Sequence, residues 1–300
     1  MNLRPHNYRL ASSSSDRFRV PKKRRFVKGS ISLLVVFLVL GLGVHLALSA
    51  KASAREATVA NAAKLQHEVT LQNALPAKIN TVISQNPDIT LSVSLINLDS
   101  GSSQNFGDLQ PVEAASTAKL ITAALFLHEV EQGRASLNDQ YGGYSAAYQL
   151  RQLIQQSDDT AWQLFNDQLG NDNLQAYASS LGLVSYDVNA NSINSSDMAK
   201  LLAKLYKGQL LNSAHTKLLL SYMQNTNYED FITPAIPSGE QIFHKVGLLD
   251  DNVNDAAVID SGSQSFVLVI FTDGNGNYDW TARAALMQQI TKLALPAYLG

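Results

Sequence analysis

From Leu120 to Leu127, seven of eight residues are apolar, and at helical spacing they point to every side. A helix that is apolar all round has to be buried, so this one runs through the middle of a domain. It reads as a helix from about Glu113 to Leu127. Its first turn carries Ser116 and, three residues on, Lys119. Positions i and i+3 lie on one helix face, about 5–6 Å apart at Cβ, so an amine is within reach of a hydroxyl. The helix N-terminus favours developing negative charge, and a partly desolvated lysine has a lowered pKa that suits it to act as a base. Ser-x-x-Lys is a loose pattern, however, and most serines at helix starts are caps.

The N-terminal part is of another kind. Residues 1–28 hold nine basic residues against the single acid Asp16. Gly29 to Ala50 then runs 22 residues without an ionised side chain other than the titratable His45. At about 1.5 Å per residue this spans roughly 33 Å, enough for a bilayer. Basic flanks stay cytoplasmic, which predicts a cytoplasmic tail at 1–28, an anchor at 29–50 and everything beyond about Lys51 outside. Ala52-Ser53-Ala54 offers the rival reading of a cleaved signal, but the apolar run is longer than such signals need. An uncleaved single-pass anchor is favoured.

Beyond residue 28 the chain keeps 14 basic and 24 acidic residues, a net charge of about −10. That balance argues against a nucleic-acid partner. Cysteine is absent, which excludes thiol catalysis and thiolate metal sites. The six histidines are scattered without metal-ligand spacing, so no metal and no cofactor is expected.

Residues 51–74 read as an Ala-rich helical stalk, and Pro76 as the first turn of a new helix. Ile89, Leu91, Val93 and Leu95 alternate with Thr90, Ser92 and Ser94, which predicts a half-buried strand. Gln104–Phe106 gives a second. About 133–225 reads as helical, broken at Gly142-Gly143, Gly170, Gly182 and Asn189–Asn194. Strands return at 241–247, 255–259 and 266–271, and Thr281–Leu295 closes the chain as an amphipathic helix. The expected fold is α+β: a five-stranded antiparallel sheet flanked by terminal helices, with an all-helical subdomain inserted beside it. One transmembrane helix precedes this domain at 75–300.

Two further spots carry chemistry. Gln156-Ser157-Asp158-Asp159 opens a helix, with an N-cap cluster as its plain meaning. His244-Lys245-Val246-Gly247 places a lysine inside a strand, where an ionised group is costly unless paired. In order and context, Ser116–Lys119, Ser157–Asp159 and Lys245–Gly247 resemble the Ser-x-x-Lys, Ser-Asp-Asn and Lys-Thr-Gly motifs of the class A β-lactamase-like, penicillin-recognising serine hydrolases. The resemblance covers roughly residues 75–298. It implies that Ser116 is acylated, Lys119 takes or relays its proton, and Ser157 passes a proton to the leaving nitrogen. It further implies that Lys245 orients Ser157 and attracts a substrate carboxylate. The backbone N–H groups of Ser116 and Leu248, next to Gly247, would form the oxyanion hole. The implied partner is a β-lactam or a cell-wall stem peptide.

Three departures accompany that resemblance. Asp159 stands where the family has Asn, so it cannot donate to a substrate and would raise the pKa of Lys119. Val246 replaces the Thr hydroxyl. No Glu occurs between Glu131 and Glu229 to activate a deacylating water, and Asp187 is a weak substitute. Slow deacylation, or a domain that binds without turnover, is the expectation.

Overall fold

The alternating stretch after Pro87 becomes the centre of a sheet. A computed structural model describes residues 28–299, and the basic tail at 1–27 lies outside them. In chain order the elements begin with α1 (Lys28–Ser84), β1 (Thr90–Asn97), β2 (Ser103–Gly107) and β3 (Val112–Glu113). A 3₁₀ turn (Ala115–Ala118) then leads into α2 (Lys119–Glu131), β4 (Gln140–Tyr141), β5 (Tyr144–Ser145) and α3 (Ala146–Gln155). Next come α4 (Asp159–Leu169), α5 (Asn171–Ser180), β6 (Ser192–Ile193), α6 (Ser195–Tyr206) and α7 (Ser213–Tyr222). After a 3₁₀ turn at Thr233–Ala235, the chain ends with β7 (Gln241–Leu249), β8 (Asn252–Asp260), β9 (Ser265–Asp273) and α8 (Trp280–Tyr298).

The chain divides into two units at Asn61 and Ala62. In the first, Phe37, Leu38, Val39 and Leu40 of α1 are exposed. Among the described residues α1 is the one helix long and apolar enough to cross a membrane.

In the second unit the five long strands form an antiparallel sheet in the order β2-β1-β9-β8-β7, which leaves β7 on an edge. The register sets Val93 opposite Ile270 and Lys245 opposite Ala256. One face packs Val93, Leu95, Leu268 and Ile270 against Leu75 and Ile79 of α1 and Met287 and Ile290 of α8. Each such side chain, taken fully from water, contributes about 1.5–3 kcal/mol. This is the expected cover by terminal helices.

The opposite face departs from expectation. Ser92 and Ser94, predicted to face solvent, are buried. The inserted helices do not stand beside the sheet alone, because α6 lies across β1, β8 and β9. Ser195, on the first turn of α6, sets its Oγ within hydrogen-bond distance of both serine hydroxyls, 2.8 Å from that of Ser94. A polar row can therefore be buried because it is satisfied. α2 is buried on all sides from Lys119 to Leu127, as its composition demands, with Phe126 tilted on Phe165 at 4.7 Å.

Pro76 does not start a helix; it sits inside α1. A proline there leaves the carbonyl four residues earlier without its helical donor. That carbonyl, of Gln72, receives Gln104 Nε2 at 3.4 Å, while Gln72 Nε2 donates to Ala297 O at 2.9 Å. The Gln104 side chain of β2 thus replaces the donor that the proline removes, and the Gln72 side chain ties α1 to α8.

Candidate active site

The turn that carries Ser116 is built by its neighbours. β3 pairs with β6, Val112 opposite Ile193 and Glu113 opposite Ser192. Glu113 Oε1 accepts from the Ala115 N–H at 2.9 Å and from Asn191 Nδ2 at 2.6 Å. Asn254 Nδ2 donates to Glu113 O at 2.8 Å. These contacts hold Ala115 at φ 47°, a left-handed conformation unfavourable for a residue with a Cβ. The expected helix start is thus a short strand, a strained residue and a 3₁₀ turn. In a 3₁₀ turn residues i and i+3 eclipse, and Lys119 Nζ lies 3.0 Å from Ser116 Oγ.

β7 approaches this turn with its open edge. A Cβ placed on Gly247 would lie 2.7 Å from Ala114 O and 3.1 Å from Ser116 N. Only glycine lets the strand come so close. On the same edge the His244 N–H donates to Met223 O at 2.8 Å. Strand N–H groups alternate in direction, so those of Val246 and Leu248 also point to that edge, toward the Ser116 side.

Two lysines and a serine complete the cluster. Lys119 is fully buried and donates to Ser157 O at 2.7 Å and to Asp159 Oδ1 at 2.5 Å, with Ser157 Oγ 3.5 Å away. Its ammonium stands 5.1 Å from the Trp162 ring centroid. Lys245, 2% exposed, donates to Ser157 Oγ at 2.8 Å and to Val246 O at 2.8 Å. Ser157 itself is held at φ 56° before α4, which Asp158 caps by accepting from the Ala161 N–H at 2.7 Å.

The electrostatics follow from this crowding. Burial lowers the Lys119 pKa; the hydrogen bond and charge of Asp159 oppose that without reversing it. Burial thus sets the net direction expected for a lysine at the mouth of a buried helix, and Asp159 raises the pKa against it, as expected of a neighbouring carboxylate. Burial, with the Lys119 charge added, brings Lys245 down to about 7. Two amines thus flank one hydroxyl, and both are easier to deprotonate than a free lysine, the kind of perturbation that clusters at functional sites.

Ser116, Lys119, Ser157, Asp159 and Lys245 therefore converge, with Gly247 behind them and the Leu248 N–H on the facing edge. Val246 does not join them. Its side chain is buried in the core on the α8 side of the sheet. Asp187 also stays apart, accepting from the Asn189 and Ala190 N–H groups within a short hairpin.

Several contributing residues were not singled out in the sequence. Glu113 and Asn191 shape the turn that carries Ser116, and nothing in their local pattern marks them. His244 was read as one of six scattered histidines. It is fully buried, with Nδ1 3.1 Å from Asp255 Oδ1 and Nε2 3.2 Å from Glu229 Oε2. Burial alone would lower its pKa; the two carboxylates outweigh that and raise it to about 9, while His244 brings Glu229 to about 2. Glu229 belongs to a strap that also holds the Ser157 loop, since Asn227 N donates to Gln155 O at 3.2 Å and Asn227 Nδ2 to Gln156 O at 3.0 Å. His244 stands beside Lys245 in β7 and Asp255 beside Asn254 in β8, so neither is marked out by its local pattern.

The sheet, its inserted helices and the Ser-Lys-Ser-Lys cluster define a β-lactamase-like α+β protein. The model of the Beta-lactamase enzyme family matches residues 74–298, and the chain belongs to that family. Among solved structures it is similar to PBP-A, at 25% identity and a TM-score of 0.68 over 74% of this chain and 95% of the other. A PBP-A variant captured as an acyl-enzyme complex with penicillin G gives 25% identity and a TM-score of 0.69, over 75% and 96% of the two chains. A β-lactamase from Sphaerobacter thermophilus shares the fold at 20% identity and a TM-score of 0.66, over 73% and 95%. Among curated proteins none matches.

Proposed function

We propose that this chain is a membrane-anchored serine hydrolase, its domain on the extracytoplasmic side, that is acylated on Ser116 by β-lactams or related cell-wall peptides, amides or esters. The observation that carries this reading is the Ser116 Oγ–Lys119 Nζ distance of 3.0 Å, continued through Ser157 to Lys245. Ser116 Oγ attacks the carbonyl carbon and gives its proton to neutral Lys119. The oxyanion lies between the N–H groups of Ser116 and Leu248; one such donor has been worth about 3–4 kcal/mol where removed from an enzyme. As the C–N bond breaks, Ser157 protonates the leaving nitrogen and is reprotonated from the lysine pair. Water must then cleave the ester. With Asp187 engaged in its own hairpin and no glutamate between Glu131 and Glu229, that step is slow. The penicillin G acyl-enzyme of a PBP-A variant supports the same chemistry here. A reporter penicillin should label the wild type and not Ser116→Ala; equal labelling of both rules the reading out.

A second reading is a domain that binds a cell-wall or protein partner without turnover. Asp159 motivates it, because its carboxylate favours the ammonium of Lys119 at 2.5 Å. Lys119-dependent turnover of a chromogenic cephalosporin would exclude it.

A further inference from the structure

Between α7 and β7 the chain forms a strap, residues 223–233, that is tied to the sheet at both ends. The His244 N–H donates to Met223 O at 2.8 Å where the strap begins, and the Ile232 N–H donates to Asp255 Oδ2 at 3.1 Å where it ends. Midway, Glu229 Oε1 accepts from Thr226 Oγ1 at 2.9 Å and from the Thr226 N–H, while Glu229 Oε2 lies 3.2 Å from His244 Nε2. The other ring nitrogen of the fully buried His244 is 3.1 Å from Asp255 Oδ1. A histidine with a carboxylate at each nitrogen donates from both, so one side chain fastens the strap to β7 and β8. The reaction proposed above gives this cluster no part.

What the strap holds on its other side is the turn that carries Ser157. Gln155 Nε2 donates to Gln224 O at 2.9 Å, the Asn227 N–H to Gln155 O at 3.2 Å, and Asn227 Nδ2 to Gln156 O at 3.0 Å. These two glutamines immediately precede Ser157, whose φ of 56° a residue with a Cβ keeps only where its surroundings impose it. Successive side chains of a strand point to opposite faces. Lys245 therefore reaches Ser157 Oγ, at 2.8 Å, from one face of β7 while His244 grips Glu229 from the other. The contacts close a ring, from His244 through Glu229, Asn227 and Ser157 to Lys245, the residue after His244.

We infer that Glu229 and His244 are positioning residues: through the strap they set the Ser157 turn so that its hydroxyl reaches the leaving nitrogen. The inference rests on acylation of Ser116 and on proton donation by Ser157, and adds the device that aims it. As the C–N bond breaks, the proton passes from Ser157 Oγ to nitrogen and is replaced from the lysine pair. A general acid acts only within hydrogen-bond reach of the atom it protonates, and misplacement by about 1 Å can cost about 100-fold in rate.

The test separates aim from folding by the atom that leaves. Penicillin G expels a nitrogen, which has to be protonated; a phenylacetylglycyl thioester expels a thiolate, which departs without a proton. Acylation of the full chain by each donor is timed by intact mass. In Glu229→Ala, acylation by penicillin G should slow at least about 10-fold and acylation by the thioester less than about 2-fold. Asn227→Ala, at an exposed position, cuts one tie between strap and turn without touching the His244 cluster. It should lower the penicillin-to-thioester ratio about 3-fold or more, as expected for one hydrogen bond. In a Ser157→Ala background neither substitution should slow penicillin G further. Melting temperatures identify a Glu229→Ala that fails to fold, and Asn227→Ala then carries the result. Equal slowing of both donors in both variants, or penicillin rates unchanged in both, overturns the positioning role while acylation of Ser116 stands. No adduct on Ser116 with either donor overturns acylation and the positioning role together.

Discussion

Asp159 Oδ1 lies 2.5 Å from Lys119 Nζ, and the two differ sharply in setting: the lysine side chain is fully buried, the aspartate side chain 87% exposed. The amine proposed to take a proton from Ser116 is thus opposed by a carboxylate that stabilises its charged form. Because that carboxylate is in water, its effect is screened, and the lysine pKa stays below its ordinary value.

Asp159→Asn removes the opposing charge and supplies an amide that can donate to a substrate. The neutral fraction of Lys119 rises, so acylation at neutral pH should accelerate, by up to about 10-fold, with its pH profile shifted to lower pH. Stopped-flow acylation across pH checks this. An unchanged rate and profile means Asp159 does not restrain Lys119.

Gly247→Ala places a Cβ 2.7 Å from Ala114 O, a backbone atom that cannot rotate away. The nucleophile turn has to shift, at about 1–3 kcal/mol for overpacking. Denaturant unfolding should show that loss, and acylation should fall by more than 10-fold because the Ser116 N–H moves with the turn. A variant acylated like the wild type would show that β7 is not held against this turn.

His244 and Lys245 are neighbours whose protonation pulls stability in opposite directions. His244 has a folded pKa of about 9 against an ordinary 6.5. Its contribution is full below about pH 6.5 and is lost as pH rises through 9. Lys245, lowered to about 7 from 10.5, binds fewer protons folded than unfolded between those values. It therefore adds stability as pH rises from 7 to 10.5. In His244→Gln the falling contribution disappears and the lysine's rise is exposed. Chemical denaturation from pH 6 to 10 should show stability climbing more steeply in the variant. Parallel curves would mean His244 is not held charged between Asp255 and Glu229.

Ser195→Ala leaves the buried hydroxyls of Ser92 and Ser94 without their shared partner. A loss of about 1–3 kcal/mol is expected, with the acylation rate kept. Calorimetry together with a labelling time course separates the two effects.

What was legible in the sequence follows from how local each signal is. Leu120–Leu127 announces a buried helix because its composition is one-sided at every angle. β1 is recognised by its period of two, yet its serine row was misplaced toward solvent. The partner that satisfies it, Ser195, is about a hundred residues away. Pro76 misled for the same reason: Gln104 and its contact with Gln72 O are tertiary. At the site, Ser116, Lys119, Ser157 and Lys245 are marked by motif order, and the structure brings them together. Val246 was weighed as a lost substrate contact, although its place in the strand turns its side chain to the core. Glu113, Asn191 and the His244–Asp255–Glu229 cluster could not be joined without the fold, since each is ordinary where it stands in the chain.

The central claim is that Ser116 becomes covalently acylated and releases its acyl group slowly. Intact-mass measurement of the full chain with penicillin G over time tests both halves at once. The account predicts one adduct of the penicillin mass, located at Ser116 by peptide mapping, persisting for many minutes and absent from Ser116→Ala and Lys119→Ala. An unmodified mass at every time with no penicillin consumed, or an adduct that survives in Ser116→Ala, would contradict it.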